Sequence, residues 1–151
     1  MAKFIAFDLD GVFVPDLEYP VYSDGAFLDT WGRIRPLFVP QIPIYIISMR
    51  KETIRDFTMK WLKDYNFNVI RAYFMAGNHE DFSPMNCAVQ KLKAIADLIE
   101  KEEISCYVES SKEQVDIMKQ EVAYNKELYK GIPVIHFEQF LREKINLLSM
   151  L

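Results

Sequence analysis

Five short apolar runs recur along the chain, at residues 3–7, 42–47, 69–75, 104–108 and 133–135, and they are rich in Ile, Val, Phe and Tyr. Most are apolar at consecutive positions rather than alternate ones, as in strands covered on both faces. Between them the apolar period becomes that of a helix. Residues 52–65 repeat Ile54, Phe57, Trp61, Leu62 and Tyr65 along one side, and residues 88–101 do the same with Val89, Leu92, Ile95, Ala96 and Ile99. Further helices are predicted over about 113–124 and over 137–148. Strand alternating with helix predicts an α/β fold, a parallel sheet between two helical layers. The chain has 151 residues, half of them hydrophobic and 14% aromatic. That suffices for one domain, residues 1–151, with a buried core.

One stretch breaks the alternation. Residues 14–39 carry Pro15, Pro20, Gly25, Gly32 and Pro36 with no apolar period. A loop this long inside a compact domain is usually functional or poorly ordered, and this one follows two aspartates that it can cover. The charge balance, 18 basic against 22 acidic residues, argues against extended nucleic-acid binding. Cys87 and Cys106 lack metal-ligand spacing and read as reduced, small apolar residues. No signal-peptide pattern opens the sequence and no apolar run approaches a membrane span, so the expectation is a cytoplasmic protein with no membrane partner.

The two aspartates stand in Phe7-Asp-Leu-Asp-Gly11, at the end of the first apolar run. Side chains two apart on a strand point the same way, so Asp8 and Asp10 can converge beyond its carboxyl end, where open parallel sheets bind ligands. Gly11 permits a sharp turn or a close approach. Two convergent carboxylates repel unless a cation or substrate group offsets them, and Mg²⁺ prefers such oxygen ligands. The plain alternative is a solvated Asp-Gly turn. Ser48 closes the second run, either as a phosphate ligand or as a helix N-cap. Lys91 and Lys93 lie in the helix before the fourth run, and Glu109-Ser110 closes that run. A hydroxyl, a lysine and a carboxylate thus follow in order near one sheet edge.

In these segments the sequence resembles the haloacid dehalogenase-like superfamily, whose members are mostly Mg²⁺-dependent phosphatases. "FDLDGVF" is similar to its first motif, "IISMR" to its second, "KLKAI" to its lysine motif and "YVESSKEQVDIM" to its fourth. The resemblance spans nearly the whole chain and implies a three-layer αβα, Rossmann-like sandwich with a loop or minimal cap at about 14–39. It implies that Asp8 is the nucleophile, forming an aspartyl-phosphate, and that Asp10 is the acid–base residue. Ser48 would bind the phosphoryl group and Lys91 would offset its charge, with Lys93 the alternative lysine. Mg²⁺ would be held by Asp8, the Asp10 carbonyl and Glu109. Arg50, Met49 and Gly11 are placed as substrate contacts. The sequence departs from the family where Glu109-Ser110-Ser111 stands in place of one or two aspartates, and Asp116, about two helical turns on, could compensate only if that helix began unusually late.

The implied function is hydrolysis of a small phosphomonoester. A nucleotide or nucleic-acid end is favoured because "ISMRKETIRDFTMKWLK" is similar to nucleotidase-type members. The alternative is a catalytically impaired binding or regulatory module, which Glu109-Ser110 favours. A phospho-accepting receiver domain is the weakest reading, because the third run ends without an aspartate. His79-Glu80-Asp81 reads as a polar loop, His136 as a packed or capping residue, and Arg33 and Arg35 as loop arginines suited to phosphate or to solvent.

Overall fold

The computed structural model describes residues 3–16, 31–76, 81–101 and 103–149. Their elements run in the order β1 (Phe4–Phe7), β2 (Ile44–Lys51), a 3₁₀ turn (Glu52–Ile54), α1 (Arg55–Asp64), β3 (Val69–Met75), α2 (Pro84–Glu100), β4 (Ile104–Glu109), α3 (Lys112–Tyr124), α4 (Lys126–Tyr129), β5 (Val134–His136) and α5 (Phe137–Ser149). The five strands form one sheet in the order β3-β2-β1-β4-β5, every pair parallel. From β1 the chain builds outward to β3 on one side, then returns to add β4 and β5 on the other. The reversal falls between β1 and β4, where a crevice opens beyond the strand ends.

Alternation along each strand separates two cores. Ala6, Tyr45 and Tyr107 face one side and pack on Ala88, Leu92, Ile95 and Leu98 of α2 and on Val115 and Met118 of α3. Their neighbours Phe7, Ile46 and Val108 face the other side, against Trp61 and Leu62 of α1, Phe140 of α5 and Trp31. The result is a three-layer α/β sandwich. Phe13 fixes the second layer, with its ring centre 5.2 Å from Phe7, 5.0 Å from Phe38 and 5.1 Å from Phe67. Of the long segment at 14–39, residues 17–30 lie outside the described residues. Beyond them, Trp31 is buried in this layer and Ile34, Phe38 and Val39 pack against it.

The predicted elements differ in their ends. β2 continues past Ile47 to Lys51, still paired with β3 through a register shift, so Ser48 and Arg50 lie in a strand. α2 starts at Pro84, earlier than its apolar period, because Ser83 Oγ accepts the Asn86 N–H at 3.3 Å and Pro84 occupies the first helical position. The single turn of α4 is too short to show a period. Asn125 caps it, and left-handed Lys130 and Gly131 end it. Among the described residues no helix is long and apolar enough to cross a membrane.

Leu98 is fully buried under the sheet, whereas Leu128 is 46% exposed. Leu98→Ala is expected to cost about 2–5 kcal/mol and Leu128→Ala within about 0.5 kcal/mol, read from urea midpoints at unchanged slope.

Candidate active site

β1 delivers the chain into a tight turn. The Gly11 N–H bonds the Val14 carbonyl at 2.8 Å, and the Phe13 N–H reaches the Leu9 carbonyl at 3.1 Å. Leu9 is fully buried between the two aspartates. Gly11 has φ +85°, and a Cβ there would lie 2.7 Å from Ser110 Cβ and Oγ. Its role in this geometry is to let β4's end approach the β1 turn.

Asp8 sits at the centre. Its Oδ1 accepts the Leu9 N–H at 2.9 Å and lies 3.5 Å from Lys91 Nζ, while Oδ2 accepts the Ser110 hydroxyl at 2.9 Å. Lys91 reaches in from α2 and donates to Glu109 Oε1 at 2.7 Å. The same Oε1 accepts the Tyr107 hydroxyl at 2.8 Å, and Oε2 accepts the Ser111 N–H at 2.9 Å. Asp8, Lys91, Tyr107 and Glu109 are all buried. Burial pushes the Asp8 carboxyl well above its ordinary value, the Glu109 charge adds to this, and Lys91 opposes it. Burial would lower the Lys91 ammonium, but Asp8 and Glu109 outweigh it and hold the ammonium above its ordinary value. Burial likewise works against ionised Glu109, yet Lys91 and the hydrogen bonds keep it below the usual range.

Asp10 turns its carboxylate to a different partner. Arg50 Nε and Nη2 grip the two oxygens at 3.0 Å each, and Nη1 donates to Thr58 Oγ1 at 3.0 Å. The guanidinium carbon lies 3.4 Å from the centre of a Trp31 ring. Arg50, expected to contact substrate, is therefore buried and engaged with Asp10, Thr58 and Trp31. Ser48 is buried and its Oγ accepts the Arg50 N–H at 3.1 Å. It caps no helix, since α1 begins only at Arg55. Ser48, Met49 and Lys91 share the wall of one cavity.

The hydroxyl of Ser110 meets three acceptors: Asp8 Oδ2, the Asp10 carbonyl at 3.1 Å and Glu109 Oε2 at 3.3 Å. With Asp8 ionised the one hydroxyl proton is all these contacts have, so at least two of them lack a hydrogen at any moment. A carboxylate oxygen, a carbonyl and a hydroxyl converging in this way suit a hard cation that keeps waters and takes phosphate oxygens. Glu109, expected as a metal ligand either directly or through water, accepts from Lys91, Tyr107 and Ser111. Among the described residues no three His, Cys, Asp or Glu side chains group as a metal site.

The remaining candidates stand apart from this cluster. Lys93, Arg33, Arg35 and Asp116 are exposed, so α2 turns Lys91 to Asp8 and Lys93 outward. His79 and Glu80 lie outside the described residues, and Asp81 accepts the Ser83 N–H at 3.0 Å. The His136 Nδ1 accepts the Glu138 N–H at 3.3 Å, which leaves Nε2 to donate to the Ser110 carbonyl at 3.0 Å. Sequence reasoning missed Tyr107, Thr58 and Trp31. Tyr107 carried a signal, because a residue two before Glu109 on a strand shares its side.

No family model and no curated protein matches the sequence. Two solved chains share the fold. One, from a structure of the Pnkp1/Rnl/Hen1 RNA repair complex, is 17% identical with TM-score 0.50, over 89% of this chain and 42% of that one. The other, from a structure of the Pnkp1/Rnl/Hen1 complex, is 15% identical with TM-score 0.55, over 90% and 46%. This chain spans less than half the length of either.

Arg50→Met leaves the partly exposed Asp10 carboxylate without its clamp and is expected to cost about 2–3 kcal/mol. Arg55→Met, which removes a partly exposed pair with Glu52, is expected to cost about 1 kcal/mol or less. Urea titration of both variants checks the contrast.

Proposed function

We propose that the chain is a phosphomonoester hydrolase of the haloacid dehalogenase-like class, working through an aspartyl-phosphate with Mg²⁺. The observation that carries this reading is the convergence of Asp8 with Lys91, Ser110 and the Asp10 carbonyl at the β1–β4 crevice. A carboxylate oxygen of Asp8 attacks phosphorus, the bond to the leaving oxygen breaks, and that oxygen takes a proton. Water then attacks the same phosphorus, freeing Asp8 and giving up its proton. Asp10 would carry these protons, with Arg50 holding its carboxylate. Lys91 offsets charge on Asp8 and the phosphoryl oxygens. Asp8, the Asp10 carbonyl and Ser110 would hold Mg²⁺, which supplies positive charge to the phosphoryl group, while Glu109 holds Lys91 in place. A nucleotide or nucleic-acid end is the favoured substrate. The neighbours' origin in an RNA repair complex points the same way, although their likeness concerns the fold.

A second reading, a phosphate-binding module without turnover, is favoured by Ser110 standing where an acid would add charge to the cation site. Phosphate release from a phosphomonoester panel, with and without Mg²⁺, separates the two. Asp8→Asn is expected to keep the fold by circular dichroism and lower kcat by roughly 10³-fold or more. Wild-type-like release by that variant would remove Asp8 as nucleophile. Ser110→Asp is expected to lower the Mg²⁺ concentration for half-activation. If calorimetry finds millimolar Mg²⁺ bound only by Ser110→Asp, and wild type releases no phosphate, the module reading replaces the phosphatase.

A further inference from the structure

Beside Ser48 and Lys91 a cavity of about 460 Å³ opens between the ends of β2 and β3 and the flank of α2. That volume falls in the range of small-molecule sites. Two of its wall residues, Ser48 and Lys91, are phosphoryl contacts in the function proposed above, so a phosphate held there would extend its ester group into this space. On α2 the floor is the stripe Gln90, Ala94 and Asp97, at helical spacing. Lys91 and Lys93 flank that stripe, roughly 160° apart about the helix axis. The groove therefore has one lysine on the catalytic side and another on the far side.

Its wall chemistry is specific. Met49 and Met75 supply an apolar, polarizable side suited to a flat ring, while the Phe74 ring packs in the opposite layer beneath Arg55. Asp97 is already matched by Lys101 and by the Tyr73 hydroxyl. These two donors hold its carboxyl below the ordinary value. Lys93 instead meets Gln90 Oε1 at 3.5 Å and pairs with no carboxylate among the described residues. The uncompensated charge of the groove is thus positive, at the end away from Asp8.

We propose that this groove binds the leaving group of the substrate, and that the leaving group is a nucleoside bearing a second phosphate, with its base against Met49 and Met75 and its second phosphate at Lys93. The inference rests on the phosphatase reading for its orientation. A free nucleoside 3′,5′-bisphosphate and the phosphorylated end of a short strand both offer this chemistry.

The test compares kcat/KM for p-nitrophenyl phosphate, a nucleoside 3′-monophosphate, its 3′,5′-bisphosphate and a 3′-phosphorylated trinucleotide, in wild type and Lys93→Gln. The ratio of bisphosphate to monophosphate is expected near tenfold or above in wild type and to fall about tenfold in the variant. Lys60→Gln, on the far helix α1, is expected to keep the wild-type ratio. A higher value for the trinucleotide than for the bisphosphate identifies a strand end as the source; the reverse identifies a free nucleotide. Turnover of p-nitrophenyl phosphate with no bisphosphate preference, or with a preference that Lys93→Gln leaves intact, overturns the groove assignment and leaves the phosphatase standing. If no ester is hydrolysed, the phosphatase reading falls and calorimetry with the bisphosphate decides the groove. Sub-millimolar binding weakened about tenfold by Lys93→Gln supports the groove, and no binding, or binding indifferent to that substitution, refutes it.

Discussion

The ammonium of Lys91, held between Glu109 and Asp8, is the interaction on which the centre depends. Three ionisable groups are removed from water here, which costs several kcal/mol per ion unless each finds partners. Glu109 finds three donors, Lys91, Tyr107 and the Ser111 N–H. Those bonds occupy most of its acceptor capacity and make it the anchor of Lys91. The pair also ties α2 to β4 across the first core, so the geometry at Asp8 follows from the packing of Ala88, Leu92 and Ile95 beneath it. Stability and chemistry share the same contacts.

A second cation completes the division of labour. Asp8 and Asp10 leave one turn, yet they are held by cations from different elements: Lys91 from α2 and Arg50 from β2. A lysine suits Asp8, because a compact ammonium can approach one carboxylate oxygen without covering the group. An arginine suits Asp10, because a planar fork fixes a carboxylate in one plane. Trp31 and Thr58 hold that fork from the second layer. Trp31, from the long proline-containing segment, therefore bears on Asp10 through Arg50, while Val14 at the start of that segment bridges Asp10 directly.

What the sequence could disclose followed from period and type. Continuous apolar runs signalled a sheet covered on both faces, and Asp8, Lys91 and Glu109 fell at strand ends or helix turns where topology brings them together. The partners of Arg50 were not legible. Its side chain lies on a strand that outlasts its apolar run, so a reading that ended the strand at Ile47 left Arg50 in a loop, exposed to substrate. Thr58 and Trp31 lie 8 residues after it and 19 before it, and neither has a pattern that points to a guanidinium. Ser110 was legible as a departure from a family pattern. Its place among three oxygens depends on the approach that Gly11 permits, which no spacing rule conveys.

The charges of the centre suggest how cation and substrate would depend on one another. With every group ionised, Asp8, Asp10 and Glu109 against Lys91 and Arg50 leave a formal charge of −1. That single charge, with three oxygens around one hydroxyl proton, attracts a divalent cation only modestly and would be left at +1 by it. A phosphate dianion entering alone would meet a site already negative. Entering together, the two return the sum to −1 and supply each other's missing ligands, the phosphate oxygens completing the cation's shell and the cation neutralising the phosphate. In a centre built this way each ligand binds more tightly when the other is present, and by linkage the gain is the same in both directions. An aspartate at Ser110 would loosen that coupling by letting the cation bind without substrate. Under the proposed function the serine would make the cation's residence a consequence of substrate binding.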